Sequence, residues 1–562
     1  MWIIPLTQKG DAMRRKKEHT LYPELVNSYE KGDLSRREFL RYSALIGVSM
    51  GLSATMLGTL NPRKAMAMAS KPKRGGVLKV AGSVHKITHP AQFSWVEPSN
   101  QMRQVAQYLT VTGPDNITRP YLCEKWEASD DLKTWTLHLV QNATFNNGDK
   151  FNADDVLFTI GQWLDPEVKS SMLGLMGAYL KTSGIEKIDT YTVRLHLERA
   201  EIAVPEHLFH YPALILNHRT FEGDFLRAPH GTGPYTLEKY KEGEICILKA
   251  RKDYWQKGFD KKPLPYLDGM QFIEVGKEIS PKLAALKSGE VHMIDFGDNP
   301  TPEAAMACKG DDRLVVLPVT TAGTRVIRMR TDIAPFSDVN VRNAIKYCQN
   351  HEKLLGLAYM NEGMMGQDVH VYPYHPEYCE MPARRYQPEK ARELLKKAGK
   401  EGLKVELSVG SSFSDAIRIA EVLKQDGIAG GIDIQIKTMP TSQYWEKWTE
   451  LPFGITPWAH RPLGTMVLNL AYACGLDGKP VPWNETRWVD DEFNTLLKEA
   501  NGTLDVASRR KIFCKLQKIQ QERGSIGIPF WMNLWLITSK KLKNVEVHPS
   551  LYMDFNEVYL DA

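Results

Sequence analysis

The stretch "LCEKWEASDDLKTWTLHLVQNATFNNGDKFNADDVLFTI", Leu122 to Ile160, joins two kinds of periodicity. "KTWTLHLV", Lys133 to Val140, alternates polar and apolar residues, which predicts a half-buried β-strand. A helix follows, in which Asn152 suits the N-cap and Asp155 stands at N3, a variant of the capping box. Asp154 and Asp155 are adjacent, so they point in different directions from a helix. They favour the helix dipole and predict no catalytic pair.

The mixture of strands and helices continues along the rest of the chain. "YTVRLHLE" (191–198) and "YTLEKYKEGEICILKA" (235–250) each predict a half-buried strand. "PFSDVNVRNAIKYC" and "QPEKARELLKKAG" predict helices, with Ser337 as N-cap of the first and Pro388 at N1 of the second. Because no repeat and no sustained βαβ rhythm is present, the pattern indicates a mixed α+β protein.

Length and composition exclude several classes of protein. The 562 residues exceed what one hydrophobic core serves, which predicts two or three domains. The net charge of +5 comes partly from the first 41 residues, and the rest shows no basic stripe, so we expect no nucleic-acid partner. The seven cysteines form no C-x-x-C pair, which argues against a zinc ribbon or a thioredoxin-like motif.

The N-terminus has the order of an export signal. "SRREFLR", Ser35 to Arg41, resembles the twin-arginine signal through Arg36 and Arg37, and a mildly apolar run follows it. Small residues then supply A-x-A cleavage sites after Ala67 or Ala69. Residues 1–69 are therefore predicted to be a twin-arginine signal peptide, cleaved near Ala67 or Ala69. The predicted location is the periplasm, with the twin-arginine export machinery as a partner.

Two other interpretations of this region were weighed. The uncharged run "YSALIGVSMGLSATMLGTL" could just span a bilayer as an uncleaved anchor, although its hydrophobicity is modest. Gly47 to Gly51 also matches the G-x-S-x-G elbow that presents the serine of a hydrolase. Ser49 lies in the segment that we expect to be removed, and the elbow needs a folded α/β sheet around it. We interpret this match as chance.

Several segments together resemble the family 5 extracellular solute-binding proteins. The stretch from Leu122 to Ile160 resembles the signature of that family, and we call it the signature-like stretch. It contains Trp126, the predicted strand, "F-x-x-G" and "A-D-D-V". The matches then continue in the family's order with "HGTGPYTL", "LKARKDYWQKG", "LAALKSGEVHMID", "APFSDVNVRNAIKYC" and "QPEKARELLKKAG". One departure is Arg251, where the family usually has Asn.

The resemblance implies a periplasmic-binding-protein-like fold of two lobes with a third, inserted domain. Lobe I would combine residues 76–112, 225–325 and 525–562, and the inserted domain would cover 113–224. Lobe II would cover 326–524, reached through "TTAGTRVIRMR" and left through "SIGIPFWMNLW". Closure of two lobes about a hinge buries a solute almost fully.

The resemblance also implies a function in transport. A monomeric periplasmic receptor would capture a small solute, peptide or peptide-like, and deliver it to the membrane permease of an ABC importer, without a cofactor and without catalysis. A metal chelate is an alternative ligand, because nickel receptors belong to the family. An exported hydrolase of a small ester or peptide is the alternative function. Outside the signal, however, the sequence has no nucleophile elbow, no H-E-x-x-H and no P-loop.

The sequence departs from the peptide-binding members at one informative position. Those members place an Asp, which pairs with the peptide's ammonium group, three residues after a Trp. If Trp458 aligns with that Trp, then Arg461 occupies the place of the Asp, with His460 before it. A guanidinium matches a carboxylate or phosphate. The departure therefore predicts an anionic solute, and a shifted alignment would instead make Arg461 a surface residue.

The remaining candidates are aromatic side chains and one histidine-containing tract. Trp458 is predicted to form an apolar wall of the ligand pocket, and Phe93 and Trp95 are weaker candidates from lobe I. His370, His375 and Cys379 in "HVYPYHPEYC" match no metal motif. We expect this tract to be a loop without metal.

Overall fold

The computed structural model describes residues 22–32, 34–46, 72–94, 96–276, 278–298, 301–382, 384–475, 477–503 and 505–561. Helices and strands alternate throughout these residues, which confirms the mixed α/β class. The helices are α1 (Tyr22–Glu30), α2 (Arg36–Leu45), α3 (Val96–Met102), α4 (Ala153–Leu164), α5 (Ser171–Met176), α6 (Val204–His207), α7 (Ile279–Ser288), α8 (Pro302–Cys308), α9 (Val339–Tyr347), α10 (His351–Tyr359), α11 (Pro388–Lys397), α12 (Ser414–Ala429), α13 (Thr441–Lys447), α14 (Gly464–Tyr472), α15 (Asp491–Gly502) and α16 (Val506–Arg523).

The strands form one large sheet and three smaller ones. They are β1 (Val77–Ala81), β2 (Thr110–Thr112), β3 (Thr118–Pro120), β4 (Cys123–Ala128), β5 (Thr134–Leu139), β6 (Leu180–Asp189), β7 (Thr192–Leu197), β8 (Tyr235–Lys241), β9 (Ile245–Ala250), β10 (Gly269–Ile273), β11 (Met293–Ile294), β12 (Leu314–Met329), β13 (Gly363–Met365), β14 (Leu403–Gly410), β15 (Ile432–Met439), β16 (Phe453–Trp458), β17 (Ile526–Gly527), β18 (Phe530–Ser539), β19 (Leu542–Lys543) and β20 (Tyr559–Leu560).

The large sheet runs through both predicted lobes in the order β15-β14-β16-β12-β18-β11-β1-β10-β9-β8. Its two central strands, β12 and β18, lie antiparallel and connect the halves. The last part of β12, from Thr324 to Met329, pairs with β16 on the lobe II side. Between Thr320 and Thr324 the register of β12 against β18 shifts, so the ladder is interrupted between the halves.

The signature-like stretch forms a separate antiparallel sheet, in the order β4-β5-β7-β6, within the range predicted for the inserted domain. The predicted strand is β5, and the predicted cap of α4 is confirmed, because Asn152 and Asp155 form a complete capping box. Asp155 is buried and also hydrogen-bonds the backbone N–H of His218 at 3.1 Å. Its role is structural.

Two sequence-based expectations need correction. "YTLEKYKEGEICILKA" forms a hairpin of β8 and β9, because Gly243, at a φ of 70°, turns the chain back. The N-cap of α9 is Asp338, whose side chain accepts a hydrogen bond from the N–H of Asn340. The predicted cap Ser337 lies one residue too early, and its N–H already bonds the carbonyl of Ile333.

The N-terminal helices α1 and α2 pack against the folded body of the protein. Tyr22, Phe39, Tyr42 and Leu45 belong to the same hydrophobic core as the strands of the large sheet. Ser35 and Glu38 form a complete capping box at the start of α2. Gly47 to Gly51, the predicted cleavage sites and the side chain of Arg37 lie outside the residues described, so the export signal stays a prediction.

Candidate functional site

Trp458, the last residue of β16, is held in place by a buried carboxylate. Its indole N–H donates to Oε1 of Glu485 at 2.8 Å, and Arg328 pairs with Oε2 of the same carboxylate at 3.0 Å. Burial raises the pKa of Glu485 above its ordinary value. The ring of Trp458 meets His370 edge-on, with ring centres 5.3 Å apart. The predicted pocket wall is therefore a buried part of lobe II.

His460 connects three parts of the protein. Its Nδ1 accepts the N–H of Ala322, which lies in the irregular part of β12, at 3.0 Å. Nε2 then carries the proton, 3.3 Å from the amide oxygen of Asn116. Burial holds the pKa of His460 well below its ordinary value, so the ring is neutral. His460 thus links the range predicted for lobe II to β12 and to the range predicted for the inserted domain.

Arg461 is buried, with 5% of its surface exposed, between the ranges predicted for lobe II and for the inserted domain. Its Nη1 donates to the carbonyl oxygen of His460 at 3.0 Å, and its guanidinium carbon lies 5.8 Å from the ring centre of Tyr211. Nε has no hydrogen-bond partner, and no carboxylate of the described residues forms an ion pair with Arg461. Its position between two domains does not fit the surface interpretation.

The segment that carries the aromatic candidates Phe93 and Trp95 comes near Arg461 through Tyr211, whose ring faces Arg461 and whose hydroxyl donates to the carbonyl oxygen of Ser94 at 3.1 Å. Phe93 is buried directly after the short 3-10 turn Pro90–Gln92, and its N–H caps that turn through the carbonyl of Pro90. Among the described residues, none of the polar or ring contacts of Trp458 or Arg461 involves Phe93. Trp95 lies outside the described residues, so its assignment stays a prediction.

A cavity of about 510 Å³ lies where the domains and the N-terminal segment meet. Asn116 and His460 line it, together with the loop from Tyr372 to Tyr378. Glu38 and Arg41 of α2 also line it. The N-terminal segment therefore forms one wall of this cavity, which Trp458 and Arg461 do not line.

Arg41 enters a buried group of charges that the sequence analysis did not find. Its Nη2 donates to Oε1 of Glu206 at 3.1 Å and to the carbonyl oxygen of Pro462 at 2.8 Å. Arg509 pairs with Glu377 at 3.7 Å, and its guanidinium lies 4.7 Å from the ring centre of Tyr42. No local motif marks Glu206, Glu377 or Arg509. Only Arg509 has a signal in the sequence, because it is a charged residue on the apolar, buried face of α16.

The histidine-containing tract is a structural loop. His375 donates from Nε2 to the carbonyl oxygen of Arg461 at 2.8 Å, and His370 bonds the hydroxyl of Tyr472 at 2.7 Å. Cys379 is joined to Cys514 of α16 in a disulfide, so its sulfur is not available as a metal ligand. In the part of the chain that the structure describes, no group of three or more His, Cys, Asp or Glu side chains could hold a metal ion.

Comparison with protein families decides the class of this protein. The profile "Bacterial extracellular solute-binding proteins, family 5 Middle" matches residues 118–468, which is more than half of the chain. The chain belongs to this family. Its relatives include di/tripeptide-binding protein 1 of Pseudomonas aeruginosa, which is 28% identical over 479 residues, or 78% of this chain and 85% of that protein.

Other family 5 members differ in the ligands that they are named for. Heme-binding protein A of Haemophilus influenzae is 26% identical over 442 residues, covering 71% of this chain and 76% of that protein. DppA of Helicobacter pylori in complex with peptide STSA has a TM-score of 0.76 at 21% identity, covering 89% of this chain and all of that one. AgaA of A. tumefaciens in complex with agropinic acid has the same TM-score of 0.76 at 23% identity, covering 87% and 99%. These structures establish the periplasmic-binding-protein fold.

Membrane-spanning helices were also sought. None of the helices within the described residues combines the length and the apolar character that crossing a bilayer requires.

Proposed function

We propose that this family 5 protein is the exported solute receptor of an ABC importer, and that it captures a peptide-like solute with an acidic group. Relatives named as di/tripeptide-binding proteins support a peptide-like solute. The observation that carries the acidic group is Arg461, a buried guanidinium between two domains with an unused donor at Nε. Trp458 lies three residues before Arg461 in the chain, and Glu485 fixes its ring.

The position of Arg461 suits capture by closure. Its backbone belongs to lobe II, whereas the ring of Tyr211 belongs to the inserted domain. An anion that binds between these groups favours the closed arrangement of the lobes, because it gains its second set of contacts only there. The interruption in β12, between Thr320 and Thr324, supplies a place for the bending. The receptor acts as a monomer and passes the solute to a permease.

Two measurements test this function. Protein purified from the periplasm is denatured, and mass spectrometry identifies the released solute, which we expect to be unmodified and to carry a carboxylate or phosphate. Solution scattering with and without that solute should then show a smaller radius of gyration in the complex. Tight binding with an unchanged scattering curve would contradict closure, and a chemically altered product would favour the hydrolase.

A further inference from the structure

The pocket that holds Arg41 is built from two domains. Glu206 extends from α6 of the inserted domain, and its Oε1 accepts from both Nε and Nη2 of Arg41, at 3.3 and 3.1 Å. The carbonyl oxygen of Pro462, one residue after Arg461, accepts from Nη2 on the lobe II side at 2.8 Å. The guanidinium of Arg41 thus bridges the two sides of the cleft, as a group on a captured solute would.

The pocket keeps unused acceptors around this guanidinium. Glu206 is 2% exposed, and its Oε2 has no hydrogen-bond partner. Glu377 is fully buried, its Oε2 accepts the N–H of Gly464, and its Oε1 has no hydrogen-bond donor. Buried carboxylate oxygens normally have donors. Oε2 of Glu206 therefore offers a further position for the N–H groups of a cation, whereas Oε1 of Glu377 already pairs with Nε of Arg509 at 3.7 Å.

Arg41 supplies the ion pair of Glu206. Glu201, Glu206 and Glu377 lie in one buried group with the guanidiniums of Arg41, Arg199 and Arg509. Loss of Arg41 leaves Glu206 without an ion pair among the described residues. Burial already raises the pKa of Glu206 to about 7, although Arg41 lowers it. An uncompensated buried charge is costly, so another cation restores the balance or Glu206 takes up a proton.

We propose that Glu206 and the Pro462 carbonyl form a cation subsite, which Arg41 occupies in the precursor and a guanidinium or ammonium group of the solute occupies after the N-terminal segment is removed. This inference rests on the proposed function and on the predicted cleavage after Ala67 or Ala69. It deepens that function, because it defines the solute as zwitterionic. Its acidic group binds near Arg461, and its basic group binds at Glu206.

The inference also assigns a role to α2 before cleavage. The helix enters the cleft with Arg41 at Glu206, while Glu38 pairs with Arg510 on α16. It therefore presents a cation and an anion to the two sides of the cleft. Arg41 fills the cation subsite in the precursor, so the precursor does not bind solute until the N-terminal segment has been removed.

The first test compares two probes that differ only in charge. Nα-Acetyl-L-arginine and Nα-acetyl-L-citrulline have nearly the same shape and no α-ammonium group, but the citrulline derivative carries a neutral ureido group in place of the guanidinium. At millimolar concentration, the arginine derivative should raise the melting temperature of the periplasmic receptor, and the citrulline derivative should not. Glu206→Gln should remove the effect of the arginine derivative. Glu406→Gln, in an exposed pair with Lys437 at 2.9 Å, serves as the matched control and should keep it.

The second test uses the solute that copurifies with the receptor. We expect it to contain a basic nitrogen, and we expect Glu206→Gln protein from the same cells to retain at least about tenfold less of it. Equal retention, a solute without a basic nitrogen, or no difference between the effects of the arginine and citrulline derivatives would overturn the cation subsite. The transport function would survive each of those results. It fails if the periplasmic protein carries no solute and does not close.

A third test needs no ligand and separates the subsite from a merely structural role. Replacing Arg36 and Arg37 with Lys keeps the precursor in the cytoplasm, from which it is purified. The precursor and the processed receptor are both oxidised before measurement, so that each contains the disulfide between Cys379 and Cys514. Glu206→Gln should lower the melting temperature of the precursor, because Arg41 loses its carboxylate. It should not lower that of the solute-free processed receptor, because the amide removes an unbalanced charge. A decrease in both forms would overturn the proposal.

Discussion

Two buried guanidiniums lie close together in the chain's fold and differ in how they are satisfied. Arg41, from the N-terminal segment, has a carboxylate partner in Glu206 and a carbonyl partner in Pro462. Arg461, from lobe II, donates to the carbonyls of Ala459 and His460 and stacks near Tyr211, without a carboxylate among the described residues. The first group is paired and the second is not.

This difference indicates which groups belong to the cleft and which belong to its occupant. Burying a charge is costly unless it is paired. Arg41 meets that condition through its ion pair with Glu206, so we propose that the segment that carries it takes the place of a bound solute. Arg461 does not meet it with described protein groups, so its partner is expected to arrive from outside.

The largest expected effect concerns export, which determines whether Arg41 stays in the protein. Replacing Arg36 and Arg37 with Lys should leave nearly all of the precursor in the cytoplasm, because the export receptor reads the arginine pair. Cell fractionation with an antibody against the protein measures the result. Normal periplasmic accumulation of the double variant would refute the twin-arginine assignment.

Removing the paired guanidinium should destabilise the precursor strongly. Arg41→Gln leaves Glu206 without its cation, at a cost of about 3–5 kcal/mol. Because burial raises the pKa of Glu206 above its unfolded value of 4.5, the stability that this group contributes is present at low pH and lost as pH rises through about 7. Urea unfolding should therefore show a larger loss at pH 8 than at pH 5. A loss that does not depend on pH would contradict an ionised Glu206.

Removing the unpaired guanidinium should affect binding. Arg461→Ala should weaken binding of the native solute at least tenfold, since one charge-assisted hydrogen bond contributes about 1.5–3 kcal/mol. Arg461→Asp should weaken it further, because it places like charges together. Calorimetric titration measures both, with Arg392→Ala on α11, an exposed arginine that pairs with Glu389, as the control for loss of an arginine. Wild-type affinity in both Arg461 variants would place the solute elsewhere.

A smaller effect comes from the neutral histidine between the two guanidiniums. His375 donates to the carbonyl of Arg461 and faces Glu377, Arg41, His370 and His460. Burial lowers its pKa to about 4, below the ordinary 6.5, so its contribution to stability is full above pH 6.5 and is lost as pH falls towards 4.

His375→Gln should accordingly flatten the dependence of unfolding free energy on pH across that window. The slope from one such group is at most about 1.4 kcal/mol per pH unit. Urea unfolding at several pH values measures it. An unchanged slope would mean that other buried histidines, such as His207, control the acid response.

The smallest effect should come from the other ion pair of the N-terminal segment. Glu38 pairs with Arg510, whose side chain is 37% exposed, and exposed pairs contribute roughly 0–1 kcal/mol. Glu38→Gln should therefore change the unfolding free energy of the precursor far less than Arg41→Gln does. Comparable losses from the two variants would show that burial does not explain the difference between the pairs.

The sequence was sufficient to predict those parts of the fold that depend on interactions between residues close together in the chain. Asn152 and Asp155 lie three residues apart and satisfy each other's backbone, so the pattern alone located α4. The N-cap predicted at Ser337 was wrong by one residue, because Asp338, which follows it, is an equally suitable cap. The turn at Gly243 was also missed, because the alternation of polar and apolar residues continues through both strands of the hairpin.

The cleft could be predicted only in part, because its contacts join distant positions. Trp458 and Arg461 were identified from a departure within a family motif, which is local. Arg41 and Glu206 are 165 positions apart, and Arg41 and Pro462 are 421 apart. No periodicity or spacing connects such residues. The single sequence therefore predicted an anion-binding position and did not predict the carboxylates across from it.

The disulfide between Cys379 and Cys514 has a consequence for when the receptor matures. It ties the end of the loop that lines the cavity to α16. Disulfides persist in oxidising compartments and are rare in the reducing cytosol. Under the proposed export in folded form, the chain would leave the cytosol with this loop held by noncovalent contacts alone. The disulfide would then form in the periplasm, so the loop would become covalently fixed only in the compartment where we propose that the solute is captured.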